Sequence, residues 1–369
     1  MEYNPMAELG LPEFDKQFMC SSLGFVTWNS LTKDLCSRYV RNGNRVFDVL
    51  RRYETIGAFA LSRQNFPSVN KMALPFIHAG GVTDHDAYAM AESGLKLVDG
   101  AARALRYVNG LMPAFISTNA YEHQMMAVCE ESGFPFSNVN CMRVSFDEMN
   151  ITKGDARRIR SAGTKITSLP VSNQDYSGGR MKYLDGADSA LVDVLDRFQE
   201  KDLMKMESVT DALGKLPSLG VNEKAYVLLE TRKRTEINFE DTAYVGSDSS
   251  DFQAMDMVKD SDGLSVAFNG TEYAVRGSNV AVVGDDATVV SVLVAEFYNG
   301  GIEAVFSLLE RWDADSLRRV PCADRNLMDA MLKASGGNLP KVIKTDDADE
   351  GALEGFISDS LSHRAKNGL

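Results

Sequence analysis

The sequence predicts an α/β protein built on a parallel sheet with helical insertions, and three stretches carry that reading. The first is Asp241–Asn269, DTAYVGSDSSDFQAMDMVKDSDGLSVAFN. Thr242, Tyr244 and Val245 are β-formers ending on Gly246, and a loop of small polar residues follows from Ser247 to Asp251. Phe252, Met255 and Val258 then recur at helical spacing through Lys259, and Gly263 precedes a second strand, Leu264–Phe268. Strand, loop, helix, strand is a βαβ unit, and its two strands run parallel. The second stretch is Pro113–Ser132, an apolar strand ending in Ser117-Thr118-Asn119 before a helix from Tyr121. The third is the short apolar run Phe18-Met19-Cys20, turned by Ser21-Ser22-Leu23-Gly24.

Taken in order, residues 1–16 are polar and irregular, with Pro5 and Pro12, and read as an arm. From Thr32 to about Leu97 the pattern is helical. Val46, Val49, Leu50 and Tyr53 make one apolar face, with Arg45, Arg51 and Arg52 outside it. Pro67, Pro75 and Gly80-Gly81 punctuate, and Thr83 or Asp84 caps a helix from His85. Val98-Asp99-Gly100-Ala101 opens a helix over Ala102–Asn109, and a strand is expected at Val139–Val144 after the turn at Gly133. Residues 150–220 are less hydrophobic, with a loop at Ser177-Gly178-Gly179 and a helix marked by Leu191, Val194, Leu195 and Phe198. Val221-Asn222-Glu223-Lys224 opens a helix through about Thr231. Val280–Val283 is the last core strand and Thr288–Leu309 a helix. Leu327–Leu332 and Leu353–Leu361 add helices around Ser335-Gly336-Gly337, and the acidic stretch Asp346–Glu350 reads as mobile. The chain thus divides into an arm (1–16), a core (17–31, 98–149 and 221–290), a helical insertion (32–97), a second insertion (150–220) and a C-terminal helical extension (291–369).

Composition bounds the function. With 369 residues the chain has length for two or three units, and 44% apolar with 25% charged residues is that of a soluble globular protein. No apolar run approaches bilayer length and the N-terminus lacks a secretory pattern, so a cytoplasmic location is expected. A net charge of −13 argues against nucleic acid or an anionic membrane as partner. Five cysteines without a C-x-x-C pair read as mostly reduced and buried, and four histidines without metal spacing argue against a zinc site. His123, beside the Ser117–Asn119 loop, is the one histidine singled out.

Open parallel sheets bind ligands beyond the carboxyl ends of their strands, where Ser117–Asn119 and Ser247–Asp251 fall. Two carboxylates there, Asp248 and Asp251, suit a hard divalent cation. The same letters also describe a solvated loop that caps the next helix through Asp251 or Ser250. Likewise Ser117-Thr118-Asn119 reads either as a phosphate cradle at a helix start or as ordinary capping.

Glu240-Asp241-Thr242, VGSDSSD and DGLSVAFN together resemble the fourth motif of the haloacid-dehalogenase-like (HAD) phosphatases, archaeal type. That motif runs E-D-T, strand, G-D-x-x-x-D, helix, A-G-L-x-I-A-F-N. Ser247 stands at its first acidic position, Asp248 follows, and Asp251 fills the second. The resemblance implies a doubly wound parallel sheet, a HAD-like Rossmannoid core, with helical cap-like insertions. It also implies phosphate-binding roles for Ser117 or Thr118 with Asn119, and for Lys224, with Arg232, Lys233 and Arg234 as rivals. The family's first motif, D-x-D-G after a strand, falls on Ser21 to Gly24, so Ser21 and Leu23 replace two aspartates. Asp15 is the nearest acid.

The family's reaction passes through an aspartyl-phosphate, with a second aspartate as acid and base and Mg²⁺ stabilising charge. Ser21 without a neighbouring base is a weak nucleophile, and Leu23 transfers no proton. Ser247 removes a metal carboxylate, so Mg²⁺ binding is expected to be weak. The expected function is therefore a catalytically degenerate phosphatase homologue acting as a binding, regulatory or accessory subunit. Its expected partners are phosphate, a phosphorylated small molecule, or a protein. The alternative is an active Mg-dependent phosphomonoesterase with its nucleophile elsewhere.

Overall fold

The short run Phe18-Met19-Cys20 becomes the middle of the molecule. In the computed structural model, which describes residues 14–63, 66–172, 183–216 and 221–369, Gln17–Cys20 form strand β1. It pairs in parallel with β2 (Ala114–Tyr121) on one side and, after β3 (Val139–Met142), with β4 (Thr242–Gly246) on the other. β5 (Leu264–Phe268), β6 (Val280–Val283) and β7 (Lys341–Lys344) complete a seven-stranded sheet in the order 3-2-1-4-5-6-7. All neighbours are parallel except β7, which runs antiparallel to β6 at the edge. Strands buried on both faces are apolar without alternation, as VAVV in β6 and LSVAF in β5 are. Gln17 is the polar residue of β1. It is satisfied where it lies, donating to Thr242 Oγ1 at 3.0 Å and accepting from Thr235 Oγ1 at 2.8 Å.

Helices cover both faces, so the fold class is the doubly wound α/β sheet expected. On one face Ala101–Leu111, Glu122–Ser132, Thr288–Leu309 and Arg325–Ala334 build the largest apolar cluster with Phe18, Ile116, Val245 and Val266. On the other, Val221–Thr235, Phe252–Lys259 and Glu350–Lys366 pack on Met19, Tyr244 and Ala267. A third cluster lies mainly in helices, closed by Tyr121 of β2, Met142 of β3 and Phe146 beyond it. Leu31–Tyr39, Gly43–Thr55, Val69–Ala79 and Asp84–Gly94 share it with Lys153–Ile166, Gly186–Arg197 and Glu207–Gly214. The two insertions, far apart in sequence, thus bury their apolar faces against each other.

Several expectations need correction. Asp346–Glu350, expected to be mobile, is engaged in ion pairs and a helix cap. Lys259 pairs with Asp346 at 2.5 Å, Lys344 with Asp347 and Arg276 with Glu350 at 2.6 Å, and Asp349 caps the last helix through Ala352 N–H. Strand β7 went unread because its half-buried KVIK carries no strong pattern. Thr288–Leu309 is, by length and composition, a helix of 22 residues long and apolar enough to cross a membrane. Its first half is buried against the sheet, and Gly301 at φ 68° kinks it. The strand expected over Val139–Val144 ends at Met142, and β2 continues past Asn119 to Tyr121. Residues 1–13 of the arm and the loop Ser177-Gly178-Gly179 lie outside the described residues.

Candidate functional site

At the carboxyl ends of β1, β2 and β4 the sheet meets the helical layer around a cavity of about 70 Å³. Ser21, Ser22, Leu23, Thr118, Asn119, Asp248 and Asp251 line it from the sheet, and Lys224 from the flanking helix. Phe47, Arg51, Glu54, Val69 and Asn70 line it from above. Two glycines let the loops close. Gly24 adopts φ +86°, and a Cβ there would lie 2.3 Å from Ser247 Oγ. A Cβ on Gly246 would meet Asp251 Cβ at 2.6 Å, so only glycine lets that carboxylate tuck under the strand end.

Asp251 is fully buried and fully engaged. One carboxylate oxygen accepts from Lys224 Nζ at 2.6 Å and Tyr244 OH at 3.1 Å, the other from the Ser247 and Asp248 N–H groups at 3.0 Å each. Lys224, itself buried, is therefore an ion-pair partner before it is a ligand for anything else. Asp248 caps the loop through Ser249 N–H at 2.8 Å and pairs with Arg51 of the helical layer at 3.5 Å. Burial opposes its ionisation, but Arg51 and Arg364 outweigh that and hold its pKa down at about 2. Both carboxylates thus also serve the capping role that was the alternative reading of the loop. Ser247, at the first acidic position, donates its hydroxyl to the Leu23 carbonyl.

Ser21 is buried and its hydroxyl has no hydrogen-bond partner among the described residues; the Ser117 Oγ and Asn119 Oδ1 atoms are likewise buried without one there. Ser22, which sequence reasoning did not single out, meets Thr118 at 2.6 Å between the hydroxyl oxygens. Thr118 and Asn119 line the cavity, whereas Ser117 lies behind them in β2. The next helix starts only at Glu122, so its N-terminus does not follow Thr118 directly. Leu23 lies half-buried on the cavity wall.

The remaining candidates lie elsewhere. Asp15 is exposed before the amino end of β1, opposite the cavity. Arg232, Lys233 and Arg234 occupy the last turn of their helix, where Arg232 holds Asn238 and Arg234 covers Phe115. His123 is structural, hydrogen-bonded to Asp84 at 3.1 Å and packed against Tyr88 and Phe146. Of the five cysteines, four are buried and Cys322 is half-buried, all as free thiols.

Two cavity residues come from the helical layer without a sequence signal: Arg51, read as an outward-facing arginine, and Glu54. Burial first and the Asp248 charge second push the Glu54 carboxyl up to about 7, against the Val69 N–H, Arg51 and Lys224. At neutral pH it is the one carboxyl here poised to hold a proton.

The donor set does not fit Mg²⁺. A hard cation needs free carboxylate and carbonyl oxygens. Asp251 has none to give, and Leu23 O already accepts from Ser247. The Ser247 and Asn269 carbonyls accept from Arg364. Among the described residues no group of three or more His, Cys, Asp or Glu side chains is placed to hold a metal ion.

No family model matches the chain, and no curated protein matches its sequence. Among solved structures, gene product AF1437 from Archaeoglobus fulgidus superposes with a TM-score of 0.74 at 18% identity, over 96% of this chain and 96% of that one. The two chains share a fold along their whole length. A phospho-aspartyl intermediate analogue of phosphoserine phosphatase aligns at a TM-score of 0.44 and 11% identity, over 75% of this chain and 97% of that one. A substrate-bound phosphoserine phosphatase complex aligns at 0.44 and 11%, over 76% and 98%.

Proposed function

We propose that the chain is a HAD-like protein that no longer cleaves phosphate esters and instead binds a phosphate-type anion as a regulatory or accessory subunit. The observation that carries this reading is the end of β1. Ser21 and Leu23, which the resemblance sets at the positions of the family's nucleophile and acid–base group, line the same cavity as the Lys224–Asp251 pair. The two loop carboxylates of the cavity each have another duty. Asp251 is bound to Lys224, and Asp248 to Arg51. What remains suits an anion: the unpartnered Ser21 hydroxyl, Thr118 and Asn119, and the cations Arg51 and Lys224. Without a nucleophile carboxylate at the strand end, repulsion of a bound anion is reduced.

The test pairs activity with binding. The purified protein with Mg²⁺ and p-nitrophenyl phosphate should show no turnover above a buffer control. Inorganic phosphate at millimolar concentration should raise its melting temperature, and Arg51→Ala should weaken that stabilisation. Absence of stabilisation in the wild type removes the anion site from this reading. Turnover that disappears with Asp248→Ala refutes degeneracy.

The second reading, an active phosphomonoesterase, is favoured by one feature. Glu54 is a half-buried carboxyl on the cavity wall, pushed up to about 7, matched to acid–base work near neutral pH. Turnover abolished by Glu54→Gln and unaffected by Ser21→Ala would favour it over the first.

A further inference from the structure

The acidic loop has a cation beside it that neither its motif nor its neighbours in sequence announce. Arg364 lies in the last helix, Glu350–Lys366, which also anchors on the strand ends through Ser360, donating to Gly270 O at 2.7 Å. The arginine is only 3% exposed. Its Nη1 donates to the Ser247 carbonyl at 3.1 Å and the Asn269 carbonyl at 2.7 Å, at the ends of β4 and β5. The same nitrogen stands 3.3 Å from where a Cβ on Gly24 would be, so it also touches the loop after β1. Its Nη2 is buried with no hydrogen-bond partner among the described residues. A guanidinium cannot lose its charge readily, and burying it calls for nearby anions. Asp248 and Asp251 are those anions.

We propose that Arg364 is the resident cation of this site, a guanidinium in the role a divalent metal would otherwise fill, so that the acidic loop excludes Mg²⁺. Three backbone oxygens at the strand ends are already hydrogen-bonded. The Ser247 and Asn269 carbonyls accept from Arg364, and the Leu23 carbonyl from Ser247 Oγ. A metal entering would have to displace these bonds and stand beside a buried positive charge. Any phosphate held in the cavity is then held without metal. That last clause rests on the anion-site reading; the exclusion of metal does not.

The experiment uses the full chain and Mn²⁺ as the probe, followed by electron paramagnetic resonance of the free ion. Wild type should leave Mn²⁺ free at millimolar concentration, and Arg364→Gln should gain at least tenfold in Mn²⁺ uptake. Arg364→Lys, which keeps the charge, should continue to exclude it; a merely structural role for Arg364 would not separate Gln from Lys. Stoichiometric uptake by the wild type overturns the proposal, as does a folded Arg364→Gln that takes up no more than wild type. Should Arg364→Gln not fold, Ser247→Asp serves. With Arg364 in place it should still exclude Mn²⁺, and micromolar uptake would assign the exclusion to the missing carboxylate instead. Phosphate stabilisation is measured in parallel in EDTA and in Mg²⁺. Stabilisation that requires Mg²⁺ overturns the proposal. No stabilisation in either buffer, with Mn²⁺ still excluded, removes the anion site and leaves Arg364's role standing.

Discussion

Asp251 shows how much a single side chain carries at the strand ends. Four donors converge on its carboxylate, and the only full positive charge among them is Lys224. Removing one partner of a buried ion pair leaves the other uncompensated, at a cost of about 3–5 kcal/mol. Lys224→Met should fall at the lower end, because Tyr244 and two N–H groups stay on Asp251. The double variant Lys224→Met/Asp251→Asn should lose less than the sum of the two single changes, measured by urea denaturation. Gly24→Ala forces a Cβ against Ser247 at a positive φ and should cost about 2 kcal/mol or more by the same measurement. Glu54 makes stability depend on pH. Its carboxyl holds a proton in the folded protein up to about pH 7, against an ordinary value of 4.5, so the native state binds more protons between those values. Stability therefore falls as pH rises from about 4.5 through 7, by up to about 3 kcal/mol. Glu54→Gln should flatten that slope, and an unchanged slope in the variant would assign the effect to another group.

At the scale of elements, the last helix is a working part of the site. It buries Leu353, Phe356 and Ile357 against Met255 and Tyr244's side of the sheet, and from that footing it delivers Ser360 and Arg364 to the strand ends. Phe356→Ala should cost about 3 kcal/mol through the cavity it leaves. Asp349→Ala should cost about 1 kcal/mol through the lost cap. If Arg364 acts as proposed, Phe356→Ala should also loosen metal exclusion, since the helix that positions the guanidinium is then less firmly held. The acidic run Asp346–Glu350 belongs to the same element. Its charges find Lys259, Lys344 and Arg276, which pattern reading of a charge cluster does not foresee.

For the whole molecule, the sheet and the helical layer share apolar packing through Tyr121 and Met142, and specific contacts join them as well. Arg51 meets Asp248, Asn70 donates to Asn119 O and accepts from Tyr121 OH at 2.7 Å each, and the Phe59 ring stacks on Tyr273 at 3.8 Å between centroids. Breaking the stack with Phe59→Ala should raise hydrogen exchange in Gly43–Ala60 while the sheet stays protected. Equal exchange in both regions would mean that the stack does not hold the layer. Phosphate binding should slow exchange in the same segment, because Arg51 and Glu54 face the cavity from that helix.

The sequence by itself determined the parallel sheet, the helices beside it and the place of the cavity. Each of these is written in local patterns: β-formers before Gly246, helical spacing from Phe252 to Lys259, and polar turns at Ser21–Gly24 and Ser117–Asn119. The resemblance read from it put Ser21, Leu23 and Ser247 where that family carries carboxylates, which remains an expectation. Only the tertiary structure decided what faces those residues. Arg51 and Asp248 are separated by 197 positions, Arg364 and Ser247 by 117, and no spacing rule joins them. The two insertions likewise shared a core that neither pattern revealed, since each apolar face only calls for some partner. Periodicity records which side of an element is buried; which distant charge is buried with it depends on how the layers stack. That is why a local resemblance could point to Lys224, while Glu54 and Arg364 had no signal in the sequence.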